Sequence, residues 1–224
     1  NARVVLDTET NIMDLDGDGL SGSLETILGT SSQNSDSDGD GLNDYIETFG
    51  TADILLPWEG SSPVEKDVFV EVDYFGRTIL GNMVYFYKDF ETDIANRLKN
   101  SFNYYGNIRL HIDVDDYLGE MEDGSATLIY AACPYFSNPI VGGNPKTFYL
   151  LDEMPNHFTT SRDGIYMWAV AANRFWDSTN SGGAACISSV SGGTNRFIVS
   201  AGFHANGGDL DRYTGTTIHE MGHA

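Results

Sequence analysis

Residues 14–25 read DLDGDGLSGSLE and residues 36–47 read DSDGDGLNDYIE, two copies of the twelve-residue pattern D-x-D-x-D-G-x5-E set 22 residues apart. That spacing is the spacing of a cation loop. Asp at loop positions 1, 3 and 5 supplies hard oxygen ligands, and Gly at position 6 permits a sharp turn. Position 7 offers its carbonyl, and Glu at position 12 closes the sphere with two oxygens. Asp14, Asp16, Asp18, the Leu20 carbonyl and Glu25 are thereby assigned to one calcium ion. Asp36, Asp38, Asp40, the Leu42 carbonyl and Glu47 are assigned to a second, with Asp44 at position 9. A solvated acidic linker would not require Gly19 and Gly41 in matching positions. The segment holds too few apolar residues to fold around a core of its own, so its ordering is expected to be coupled to calcium binding.

Charge sets this segment apart from the remainder of the chain. The formal net charge is −21, and residues 1–53 hold twelve carboxylates against Arg3 alone. The rest is an ordinary, mildly acidic globular sequence, so two regions are expected: a calcium-binding module over 1–55 and a larger domain over 56–224. A chain of 224 residues can bury a sizeable core. The acid excess opposes binding to nucleic acid or anionic lipid, because the dominant electrostatic term is repulsive. No apolar run approaches the length of a membrane span. The sequence begins at Asn1 rather than Met, as expected of a processed or trimmed N-terminus. Cys133 and Cys186 are either paired, closing a loop of about fifty residues that contributes about 4 kcal/mol in chain entropy, or are two buried thiols. Neither has the spacing of a redox or metal motif.

The larger region alternates strand and helix signals. KDVFVEVDYF is rich in β-branched and aromatic residues and reads as a strand. A helix is expected within YFYKDFETDIANRLKNSF, where Phe90, Ile94, Leu98 and Phe102 recur every four residues. IRLHIDVD then places Ile108, Leu110, Ile112 and Val114 on one face and His111, read as structural, on the other. Strand, helix, strand in this order favours a parallel crossover and an α/β fold. Further strands are expected at GIYMWAVAA and NRFIVSAGF, with the Gly-flanked GGAACISSVSGG between them as an edge strand.

The sequence ends in TTIHEMGHA. His219 and His223 stand four apart with Glu220 beside the first, the HExxH arrangement of a zinc-dependent peptidase. On a helix the two imidazoles project from one face and can converge on one tetrahedral ion, while Glu220 reaches a reacting water as general base. The preceding GGDLDRYTG reads as a loop in which Asp209 or Asp211 caps the helix, and Ile218 with Met221 is expected to face the core. His204 is read as a loop residue.

The acid-rich repeats, with LGT after the first and FGT after the second, resemble the thrombospondin type 3 calcium repeats of extracellular prokaryotic proteins. That resemblance implies export and a spacer or rigid stalk. The succession KDVFVEVDYF, IRLHIDV, RDGIYMWAVAANRF, RFIVSAGF and TGTTIHEMGHA resembles the upper subdomain of secreted metzincin-type zinc metallopeptidases. It implies a twisted, mostly parallel five-stranded sheet with a backing helix and an active-site helix. It also implies an antiparallel edge strand, at Ala184 to Val190, that holds an extended peptide substrate. The family's third ligand and methionine turn have no counterpart before Ala224.

Two functions emerge as expectations. The first is an extracellular zinc endopeptidase acting on protein or peptide substrates, with His219 and His223 as ligands and Glu220 as catalytic base. The second is a non-catalytic, calcium-stiffened structural or assembly protein, through self-association or attachment to a cell surface. A chain of these residues alone offers zinc two imidazoles, so it is expected to be at most a poor enzyme.

Overall fold

The computed structural model describes residues 13–79, 82–85, 93–121, 129–130, 148–149, 157–172, 183–185, 196–200 and 210–222. His204, His223, Cys133, Cys186, Phe90, Asp209 and residues 186–190 lie outside them. The chain divides into two compact units, Asn1–Val68 with Phe102–His111, and Phe69–Ser101 with Ile112–Ala224. The acid-rich unit thus extends beyond the boundary at residue 55 drawn from the sequence.

In the first unit each acidic loop runs directly into a short helix, α1 (Gly22–Leu28) after the first and α2 (Asp44–Phe49) after the second. The repeat is structural as well as sequential. Gly22 N–H donates to the Met13 carbonyl and Asp44 N–H to the Ser35 carbonyl, closing equivalent loops. The position-7 leucines, Leu20 and Leu42, turn their side chains inward and with Ile54 and Leu56 make a small apolar core. Gly50, at the end of α2, has φ +79, and a Cβ there would stand 2.2 Å from the Ile54 carbonyl oxygen, so FGT needs its glycine. A third short helix, α3 (Leu56–Glu59), begins with Pro57 in its first turn.

The second unit is built on a sheet. Its strands are β1 (Asp67–Ile79), β2 (Asn82–Tyr85), β3 (Arg109–Met121), β6 (Tyr166–Ala172), β7 (Gly183–Ala185) and β8 (Arg196–Ser200). The order is β2-β1-β6-β8-β7, with β3 also paired to β1. β1, β6 and β8 run parallel, while β2 and β7 lie antiparallel to their neighbours. Helices combined with this parallel set make the fold α/β. Among the described residues the sheet has six strands where five were expected. The additional strand is β2, paired from Ile79↔Asn82 to Gly76↔Tyr85, and its sequence signal is the two-residue connection Leu80–Gly81. A separate parallel pair, β4 (Ile129–Tyr130) and β5 (Phe148–Tyr149), had no sequence signal.

Central parallel strands bury both faces, and the residues of β1 and β6 obey that rule. Phe69, Val70, Val72, Trp168, Ala169, Val170 and Ala171 are all buried. Helix α4 (Asp93–Gly106) buries Ile94, Ala95 and Leu98 as its spacing predicts. No helix among the described residues is long and apolar enough to cross a membrane.

Candidate functional site

The first unit carries the densest chemistry. In the first loop both oxygens of Asp14 turn inward, accepting from Gly17 N–H at 2.7 Å and Gly19 N–H at 3.1 Å. Asp36 does the same in the second loop with Gly39 and Gly41, at 2.8 and 3.0 Å. Asp18 accepts from Leu20 N–H at 2.6 Å, and Asp40 from Leu42 N–H at 2.8 Å. These bonds wind each loop so that Asp14, Asp16 and Asp18, and likewise Asp36, Asp38 and Asp40, bring oxygens within 4.8 Å of one another. The winding needs positive φ at loop positions 4 and 6, which Gly17, Gly19, Gly39 and Gly41 adopt. Position 4 is thus a second glycine requirement that the pattern alone does not state.

The glutamates that end the loops decide what the loops are for. Glu25 is 0 % exposed and Glu47 1 %, and among the described residues neither carboxylate has a hydrogen-bond partner on either oxygen. One oxygen each of Asp16, Asp18 and Asp38 is in the same condition. Buried ionised carboxylates without partners are strongly unfavourable, and a bound cation removes the penalty. The same crowding moves their protonation. Burial, then the charges of Asp40, Asp38, Asp67 and Asp44, pushes Glu47 up to about 9. Burial and the neighbouring Asp40 push Asp38 up to about 6. Glu25 is raised by burial and by the charges of Asp16, Asp18, Asp44 and Asp14.

Asp44 sits differently from the other candidate ligands. It is buried, and both its oxygens accept from Ser37, from the N–H at 2.8 Å and the hydroxyl at 2.7 Å. Its charge bears on Asp18 and Glu25 of the first loop as well as on Glu47 of its own. Asn43, not Asp44, caps α2, accepting from Tyr45 and Ile46 N–H.

One residue of this cluster was missed in the sequence. Asp67 opens β1, is buried, and lies with Asp40 and Glu47 in a third group of carboxylates within 4.8 Å of one another. Burial raises its pKa, but hydrogen bonds from His111 at 2.6 Å, Arg109 at 2.8 Å and Ser62 N–H at 2.8 Å outweigh this and hold it below the usual range. His111 is therefore structural, as expected, through a specific carboxylate.

In the second unit His219 and Glu220 lie on α5 (Leu210–Met221), which packs against β8 and the edge strand β7, and His223 falls outside the described residues. The helix begins at Leu210, so DRYTG is helical rather than a loop, and Asp211 stands in the first turn, favourably placed in the helix dipole, where it pairs with Arg97. Its buried stripe is Tyr213, Thr214, Thr217, Glu220 and Met221. Met221 faces the core as expected, whereas Ile218 is half-buried. Adding Glu220 to this stripe turns it inward at 8 % exposure while His219 is exposed. In sequence, two imidazoles four apart would suit zinc, with Glu220 beside the first as a base rather than a ligand.

β1 also carries two acids that the sequence reading passed over. Glu71 accepts from Arg162, which also bonds Asp113 at 2.8 Å, and Asp73 accepts from Trp168 Nε1 at 2.7 Å and Asp116 N–H at 3.0 Å. Burial pushes Glu71 up to about 7 against the pull of Arg162, and Asp73 up to about 6 against those hydrogen bonds.

Neither a protein-family model nor a curated protein matches the sequence.

Proposed function

We propose that this protein is an extracellular zinc-dependent endopeptidase whose N-terminal loops are held in shape by calcium. The observation that carries the reading is the helix α5, which bears His219 and Glu220 of the HExxH sequence and packs beside an antiparallel edge strand. His219 and His223 would be the protein's imidazole ligands. Zinc held there would polarise the scissile carbonyl and make a water acidic enough to attack it. Glu220 would take the proton from the attacking water and deliver it to the leaving amine nitrogen. β7 ends the strand order, so its outer backbone groups would pair with an extended peptide and align the scissile bond. The resemblance to metzincin-type peptidases is supported by the three parallel strands β1, β6 and β8 and by this edge strand.

Calcium binding by the two loops is supported by the unpartnered, buried oxygens of Glu25 and Glu47. Millimolar calcium outside cells would keep such loops filled, which fits a secreted or surface location. The same loops also suit a non-catalytic, calcium-stiffened assembly protein, and one substitution separates the two readings. In the natural protein Glu220→Gln is expected to lower casein hydrolysis by about 10²–10⁴-fold while zinc content, measured by mass spectrometry of the metal, is retained. His223→Ala is expected to lose both. Cleavage by the Glu220 variant at an unaltered rate would remove the peptidase reading.

A further inference from the structure

We propose that Asp67, twenty residues beyond the second loop, is a carboxylate ligand of the divalent cation held there, sharing it with Asp40 and Glu47. The proposal rests on the calcium reading of that loop and adds to it a ligand from the first residue of β1, outside the twelve-residue pattern.

The geometry admits one ion. Each of the three side chains places an oxygen within 4.8 Å of the other two, a spacing that oxygens bound at about 2.3–2.6 Å to one calcium can adopt. Solvated acidic clusters are common, but this one is enclosed: Glu47 and Asp67 are 1 % and 3 % exposed. Neither oxygen of Glu47 receives a hydrogen bond, so the basic groups nearby do not satisfy it. Arg109 bonds Asp67, Glu65 and the Gly60 carbonyl, and its Nε has no partner among the described residues, while Lys66 bonds the Gly39 carbonyl.

Asp67 still has capacity for a metal. Its Oδ2 accepts from Arg109 and from Ser62 N–H, while Oδ1 accepts only from His111 Nε2 among the bonds that hold it. A carboxylate oxygen has two lone pairs, so Oδ1 keeps one. Arg109, His111 and Ser62 fix the plane of the carboxylate, as outer groups do around many metal ligands. The backbone sets the remaining coordinate: Asp67 N–H donates to Asp40 Oδ2 at 2.7 Å, and Lys66 Nζ to the Gly39 carbonyl at 3.0 Å. Ser61 donates its hydroxyl to the Glu47 carbonyl at 2.6 Å. The segment before β1 is therefore bonded to the loop at three points, and one of them holds Asp67 directly against the ligand Asp40.

Calcium titration calorimetry and thermal melts with and without calcium, on the full chain, test the assignment. Asp67→Asn is expected to weaken calcium at one site at least tenfold and leave the other unchanged. It is also expected to lower the calcium-free melting temperature, because Arg109 and His111 lose their buried partner, and to shrink the calcium-induced rise as well. Glu47→Gln is expected to affect the same site, and Glu25→Gln the other. If Asp67→Asn binds calcium like the wild type while Glu47→Gln loses a site, the loop reading stands and Asp67 is not a ligand. An equal fall in melting temperature with and without calcium, at unchanged affinity, likewise overturns the proposal. A wild-type chain that binds no calcium overturns both. Should Asp67→Asn fail to fold, Asp67→Glu keeps the charge but moves the carboxylate by one methylene, and undiminished affinity in that variant overturns the proposal.

Discussion

Both units bury carboxylates completely, yet they neutralise them by opposite means. In the sheet unit one oxygen of Glu71 is held by Arg162, its Oε1 having no partner among the described residues, and Asp73 is held by Trp168 and the Asp116 N–H, so the chain supplies a counter-charge and donors. In the loop unit Glu25 and Glu47 are as deeply buried and receive no hydrogen bond. The difference lies in what surrounds them. A parallel sheet has a packed interior that can hold an arginine and a tryptophan in fixed rotamers. In the loop unit Arg109 bonds Asp67 but leaves Glu25 and Glu47 without a partner among the described residues, a condition that a bound cation would relieve.

Removing calcium should break this comparison most visibly. In excess chelator residues 13–68 are expected to become cleavable by a non-specific protease, while β6, β8 and α5 remain protected, as read by mass spectrometry of the fragments. Each calcium present at about a hundred times its Kd contributes about 2.7 kcal/mol, a large share of the stability of so small a unit. Cleavage at equal rates with and without calcium would mean that the loop carboxylates are satisfied in some other way.

A second substitution sharpens the contrast from the other side. Arg162→Met leaves Glu71 buried without its partner and is expected to cost the sheet unit about 3–5 kcal/mol, whatever the calcium concentration. Glu71→Gln in that background is expected to recover much of the loss. In the loop unit, by contrast, Glu47 has no hydrogen-bond partner among the described residues and gives up its charge on folding when calcium is absent, so Glu47→Gln is then expected to raise stability. Urea unfolding of the four proteins, with and without calcium, measures both. A calcium-dependent cost for Arg162→Met would merge the two regimes.

The same contrast explains how far the sequence reached. The two acidic loops were legible as a repeat because the spacing of their carboxylates is local and the pattern recurs. The loop-closing bonds from Met13 and Ser35 repeat with it. The α/β order was legible because Ile94 and Leu98 on α4 and the apolar run of β6 follow simple periods. Asp67 was not, since its neighbours come from two distant stretches of chain, Asp40 and Glu47 from the second loop and His111 from β3, and nothing in KDVFVEVDYF distinguishes it from a solvent-facing acid. Glu71 and Asp73 were hidden likewise. They stand two apart on a strand, a spacing normally read as a polar outer face, yet both are buried because β6 and its Trp168 lie alongside. Helix α5 starts earlier than its glycine-rich approach suggested because Tyr213 and Thr214 join its buried stripe.

The smallest expected effect concerns protons. Burial raises Glu71 to about 7 and Asp73 to about 6, so the folded sheet unit holds these protons more tightly than the unfolded chain, where such groups titrate near about 4. Stability from this source is complete below that unfolded value and is lost as pH rises through 6 and 7. The loss is on the order of 1–3 kcal/mol, and Glu71→Gln is expected to remove most of it. Calcium-free loops share the direction over a wider window, because Glu47 is raised to about 9. Calcium reverses it there: a ligating carboxylate must be ionised, so binding releases protons and weakens as pH falls. Trp168 is the buried reporter for the sheet unit, read in a Trp58→Phe, Trp176→Phe background by urea unfolding between pH 5 and 8 at saturating calcium. A gentle decline with pH in that signal, beside a calcium affinity that climbs over the same range, is the signature of two regimes in one chain. Stability of the Trp168 signal that instead rises with pH would show that the Arg162 pair outweighs burial and that Glu71 is ionised throughout.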